Sequence, residues 1–211
     1  MNVIFGASGF AKEVNFLLSD NDSSYSTDFY VGKDESIISL SGVDVISEKI
    51  FLDRINNISK REVLNVYIGI GSPFIRSKVY NTIGDVSNYP NAVHKSVIFD
   101  KNPGGINIGI GNVICAVVVL TTSISIGNHN HINLGCTIGH DTSIGCFNTF
   151  SPGVHLSGNV SIGNNVFIGT GAVVLENTQI VDNVVIGAGS VVTKDIVESG
   201  TYVGIPAKKI K

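Results

Sequence analysis

The chain has 211 residues, of which 15% are charged, and its formal net charge is −3. No cluster of Lys and Arg stands outside the last four residues, which excludes a nucleic-acid footprint. The longest uninterrupted apolar run, Val113 to Leu120, is far too short to span a bilayer.

The opening Met1-Asn2-Val3-Ile4-Phe5-Gly6 has no basic segment and breaks at glycine after three apolar residues, so it does not read as a signal peptide and a cytoplasmic protein is expected. Three cysteines without a C-x-x-C spacing fit the same reducing compartment. Residues 2 to 5 predict a buried strand, Gly6-Ala7-Ser8-Gly9 a tight turn, and Phe10 to Leu18 an amphipathic helix. Strands follow near Phe29 to Val31, Val43 to Ile46 and Val63 to Ile68, with helices near Glu48 to Ile55 and Phe74 to Ile83. This alternation predicts a Rossmann-like α/β domain over residues 1–87, followed by a connector over 88–105. Exposed N–H groups at the first helix start favour phosphate. A dinucleotide fingerprint is excluded, because G-x-G-x-x-G needs Gly at 6, 8 and 11 and the chain has Gly6, Ser8 and Ala11.

From Ile108 onward a bulky aliphatic or Phe recurs at every sixth position, through Leu120, Ile132, Phe150 and Ile168 to Val192. A second inward residue, mostly small or β-branched, stands two places before most of them, as Val118, Cys136, Val154 and Ala172 do. A period of six fits neither a helix nor an ordinary strand; it predicts a parallel β-helix whose three short strands per coil close a triangle. Fifteen hexads give five uninterrupted coils over residues 106–195, with a cap over 196–211.

Five histidines are present. His94 lies in the connector, His129 and His131 alternate on one hexad, and His155 precedes an inward Leu156; His131 is a minor candidate for a ligand groove. His140, in Ile138-Gly139-His140-Asp141-Thr142, leaves the coil at an outward turn and is followed at once by a carboxylate. An imidazole held by an acid suits a general base at neutral pH. A coil of eighteen residues stacks Gly158 on His140, and a glycine there leaves its N–H accessible to an oxyanion.

These features resemble, over nearly the whole length, the bacterial sugar O- and N-acyltransferases that join a Rossmann-like domain to a left-handed, hexapeptide-repeat β-helix. The resemblance implies acetyl transfer from acetyl-CoA to a nucleotide-linked amino-deoxysugar in O-antigen or glycan assembly, by direct attack on the thioester. It implies His140 as base, Asp141 as its partner and the Gly158 amide as oxyanion donor. Ser8, Gly9, Phe10 and Gly71 match nucleotide-sugar contacts, and Asn133 matches a residue that orients the acceptor. Thr149, Thr170 and Ala188 match the coenzyme A groove, and Lys208 the contacts to its phosphates. A homotrimer with the thioester between neighbouring helices is implied as well. The chain departs from the family at Val31-Gly32-Lys33-Asp34, where an Asp pair is frequent. Two other readings are O-acetylation of a sugar hydroxyl, as in sialic acid acetyltransferases, and a non-catalytic β-helix scaffold. No metal is expected, since histidine spacings of 2, 9 and 15 lack the close H-x4-H pair of β-helix carbonic anhydrases.

Overall fold

The computed structural model describes residues 1–34, 36–57, 63–84 and 88–211. The expected end of the first domain at residue 87 lies outside the described residues. The N-terminal elements are β1 (Asn2–Phe5), α1 (Gly9–Asn21), β2 (Phe29–Gly32), β3 (Ser39–Leu40), β4 (Val43–Ser47), α2 (Glu48–Asn57), β5 (Asn65–Ile68) and α3 (Pro73–Ile83). The sheet order is β3-β4-β2-β1-β5, parallel except for the short edge strand β3. Side chains on both faces of β1 are buried, as a sheet covered on two sides requires. Val3 and Phe5 pack with Phe51 and Ile55 of α2 and Val79 and Ile83 of α3. Ile4 packs on the other face with Val14 and Leu17 of α1 and with Val113 and Cys115 from the second half of the chain. The chain reverses direction across the sheet between β1 and β5, and the crevice beyond their C-terminal ends is where such sheets place ligands.

The second half is a parallel β-helix with three faces. Face one carries His131–Ile132, Thr149–Phe150 and Phe167–Ile168; face two carries Thr137–Ile138, His155–Leu156 and Val173–Val174; face three carries Ser143–Ile144, Ser161–Ile162 and Gln179–Ile180. Each strand pairs with the one eighteen residues away, as His131 does with Thr149 and Thr137 with His155. Predicted inward residues from Ile114 to Val192 form one core, which Ile196 of the segment read as the cap joins. An asparagine ladder adds register: Asn112, Asn130 and Asn148 are fully buried, and each Oδ1 accepts an amide one coil on, from Asn130, Asn148 and Val166 at 2.7–2.8 Å.

The coil begins before the repeat spacing indicates. Ala92–Val93 pairs with Val113–Ile114 and Ile98–Phe99 with Val119–Leu120, so the segment read as a connector forms two sides of a first coil. Twenty-one residues separate Ala92 from Val113, against the eighteen of later coils, and these three extra residues shift the sixfold pattern out of phase. At the other end Gly200–Val203 extends face one, and Lys208–Lys209 folds back on it antiparallel.

Candidate active site

His140 stands at the corner between faces two and three. Gly139 before it permits tight stacking, since a Cβ there would lie 2.6 Å from the Ser157 backbone. Asp141 adopts φ +58°, and so do Ser123, Asn159 and Asn177 at the same corner of neighbouring coils, within a few degrees. This left-handed conformation tolerates Asp and Asn better than most side chains. The Asp141 carboxylate lies 2.7 Å from His140 Nδ1, with both side chains more than half exposed. An ionised carboxylate only accepts, so Nδ1 carries the proton and Nε2 presents its lone pair. Nε2 points over Gly158, where a Cβ would lie 2.5 Å away. Among the described residues the Gly158 N–H has no acceptor, while its carbonyl takes the Asn177 amide. A base and an amide donor thus share one small surface, the pairing that addition to a carbonyl requires.

The second assembly lies in the N-terminal crevice. Ser8 is the N-cap of α1 and makes no side-chain cap hydrogen bond among the described residues, and Gly9 is exposed with open space where a Cβ would stand. Gly6 and Gly69 explain the crevice: a Cβ on Gly6 would meet Gly69 O at 2.7 Å, and one on Gly69 would meet the Ala11 Cα at 2.9 Å. Close packing of the β1 and β5 ends therefore demands these glycines. Phe10 rests on the ring of His131, centroids 4.7 Å apart. Lys33, the family departure, lines a cleft at the same sheet edge with Phe5, Glu48 and Lys78.

Between the assemblies the N-terminal domain covers face one, and this overturns two expectations. Thr149 does not line a groove: it is buried, donates to the Gly71 carbonyl at 2.7 Å and accepts from Arg76 at 3.0 Å. His131 is also buried, with Nδ1 3.0 Å from the Arg76 guanidinium, and desolvation together with that cation holds its pKa well below the ordinary value. His129 is stacked on Phe147 and packed by Tyr80 and Tyr89; burial pushes its pKa down to about 4. Arg76 itself was not singled out from the sequence, although it stands on the buried stripe of α3 with Val79 and Ile83, where a cation is unusual.

Thr170 and Ala188 are exposed and stacked one coil apart at the corner between faces one and two. Asn133 begins the turn at that corner, and its Oδ1 accepts the Leu134 amide at 2.7 Å. Lys208 is exposed on the terminal hairpin. The predicted residues therefore fall into three groups that one chain does not unite, because the His140 corner is opposite the face on which the N-terminal domain sits. Among the described residues no group of three or more His, Cys, Asp or Glu is placed to hold a metal ion, and no helix is long and apolar enough to cross a membrane.

An α/β domain seated on a β-helix that displays a His–Asp pair beside a free amide defines a hexapeptide-repeat transferase. The PglD N-terminal domain family matches residues 3–83, and the bacterial transferase hexapeptide (six repeats) matches residues 159–194. WeeI from Acinetobacter baumannii AYE is 30% identical, with a TM-score of 0.87 over 100% of this chain and 99% of its own. A His-to-Asn variant of perosamine N-acetyltransferase from Caulobacter crescentus, in complex with CoA and GDP-perosamine, is 27% identical, with a TM-score of 0.90 over 100% and 96%. The acetyltransferase domain of PglB from Neisseria gonorrhoeae, in complex with acetyl coenzyme A, is 28% identical, with a TM-score of 0.85 over 99% and 98%. A search of curated protein sequences finds no match. The chain belongs to the bacterial sugar acyltransferase family, in which a PglD-type N-terminal domain precedes a left-handed β-helix.

Proposed function

We propose that this protein transfers the acetyl group of acetyl-CoA to the amine of a nucleotide-linked amino-deoxysugar of the 4-amino type, a step in O-antigen or glycan assembly. The observation that supports this most is the His140 corner, where Nε2 lies over Gly158, whose N–H has no acceptor among the described residues. The amine nitrogen attacks the thioester carbonyl, and His140 Nε2 takes its proton. The Gly158 amide steadies the oxyanion, the C–S bond breaks, and the thiolate leaves with the proton returned by His140. Asp141 holds the imidazole tautomer and stabilises the imidazolium between those two transfers. No acyl-enzyme is formed. Use of acetyl-CoA supports a cytoplasmic location for the protein.

The acting unit is a homotrimer in which neighbouring chains complete each site. Face two supports this reading: of its outward side chains, Ile98, Val119, Val173 and Val191 are apolar, Ile98 is well exposed, and the two polar ones between them, Thr137 and His155, contact each other at 2.8 Å. His140 stands on one edge of that face and Thr170 and Ala188 on the other. Apposed copies therefore bring the base of one chain toward the thioester groove and crevice of the next, with Lys208 beside the coenzyme phosphates. The test is free-thiol release from acetyl-CoA with UDP-, GDP- and dTDP-linked 4-amino sugars, and with sialic acid as hydroxyl acceptor. Release with one amino sugar supports the proposal and identifies the nucleotide. Release with sialic acid alone moves the assignment to O-acetylation, and no release with any acceptor supports the scaffold reading.

A further inference from the structure

Arg76 is fully buried, yet no carboxylate pairs with it among the described residues. Its guanidinium instead donates to three carbonyls, Ile70 at 2.7 Å, His129 at 2.8 Å and Asn148 at 2.8 Å, and contacts Thr149 Oγ1 and His131 Nδ1 at 3.0 Å each. The neutral acceptors satisfy its donors without cancelling its charge. Burial pushes its pKa down only to about 9, so the cation persists at neutral pH. A buried charge that lacks a counter-charge is costly, and an anion bound nearby relieves that cost.

Two consecutive carbonyls of the turn after β5 are thereby fixed. Ile70 O is held by Arg76 and Gly71 O by Thr149, which itself contacts Arg76. In a trans peptide the following N–H points opposite to the carbonyl. The Gly71 N–H therefore points away from the guanidinium, and the Ser72 N–H away from face one of the β-helix. Both residues are partly exposed, and neither amide has an acceptor among the described residues. They lie at the start of α3, whose dipole also favours negative charge.

We infer that Arg76 is a positioning residue for the substrate diphosphate: with Thr149 it turns the Gly71 and Ser72 amides toward the crevice, and its unpaired charge favours an anion there. This inference rests on the nucleotide-sugar reading of the crevice. Its consequence is that diphosphate affinity depends on a residue that makes no contact with the ligand.

The test titrates GDP, UDP and dTDP by calorimetry into the wild type, Arg76→Lys, Arg76→Met and Thr149→Val, with thermal unfolding in parallel and KM for both substrates. Thr149→Val removes one clamp without changing charge and is expected to weaken the nucleotide that binds by about fivefold, a neutral hydrogen bond's worth. Arg76→Met is expected to weaken it at least about tenfold, as loss of charge-assisted bonds does, and Arg76→Lys to an intermediate extent. KM for acetyl-CoA stays unchanged in Thr149→Val. If Arg76→Met does not fold, Thr149→Val decides. Wild-type nucleotide affinity in folded Thr149→Val and Arg76→Lys overturns the inference, as does a raised acetyl-CoA KM in Thr149→Val. Failure of the wild type to bind any of the three overturns the nucleotide reading itself, and the inference falls with it.

Discussion

A Cβ placed on Gly158 would lie 2.5 Å from His140 Nε2, one coil away. Gly158 has no left-handed φ, so alanine fits its backbone and only the exposed ring must move. Gly158→Ala is therefore expected to lower kcat by about 10² or more, as displacement of a general base does, while the unfolding temperature changes little. Steady-state kinetics beside a melting curve check this.

His140→Ala is expected to fold normally and to lose about 10² or more in kcat. Asp141→Asn keeps a side chain that accepts the left-handed turn but removes the carboxylate that stabilises the imidazolium. Its expected loss falls on kcat, with KM for acetyl-CoA unchanged. Near-normal turnover in His140→Ala removes this residue from the mechanism.

Acid stability should report the buried histidines. His129 and His131 both hold pKa values below the ordinary 6.5, so the unfolded chain binds more protons than the folded one. The His129 contribution is complete above about pH 6.5 and falls as pH drops toward 4, by about 3 kcal/mol, and His131 acts in the same direction. His129, packed by Tyr80, Tyr89 and Phe147, has no hydrogen-bond partner for either ring nitrogen among the described residues, and Arg76 is the nearby cation. His129→Phe is expected to flatten the pH dependence of denaturant midpoints between pH 6.5 and 4. An unchanged slope contradicts this account.

The asparagine ladder should be stability-determining without touching chemistry. Asn148 Oδ1 accepts the Val166 amide at 2.7 Å, and its Nδ2 donates to Gly163 O at 2.9 Å. Asn148→Ala strands both partners in the core, at a cost of about 2 kcal/mol or more. Urea unfolding measures it.

Periodicity made most of the fold legible. The sixfold spacing of Ile132, Ile138 and Ile144 and their neighbours specifies inward positions directly, and the strand-turn-helix at Val3 to Leu18 is local chemistry. The first coil was hidden because three extra residues between Phe99 and Ile106 break the phase. Gly158 beside His140 could be foreseen, since coil stacking is arithmetic. The contacts of Arg76 with Thr149 and with the β-helix could not, because those partners stand 53 to 73 residues from it in sequence and meet it only when the domains pack. A single chain also conceals how the His140 corner reaches the crevice.

That shared site is the central claim, and subunit mixing tests it most directly. Gly9→Glu sets a carboxylate in open space at the start of α1 in the crevice, and His140→Ala removes the proposed base; each alone is expected to lose most of its thiol release. Randomly mixed trimers of the two should recover about a quarter of wild-type sites, those pairing an intact crevice with a neighbour's intact base. No recovery in verified mixed trimers would mean that crevice and base act within one chain, contrary to this account.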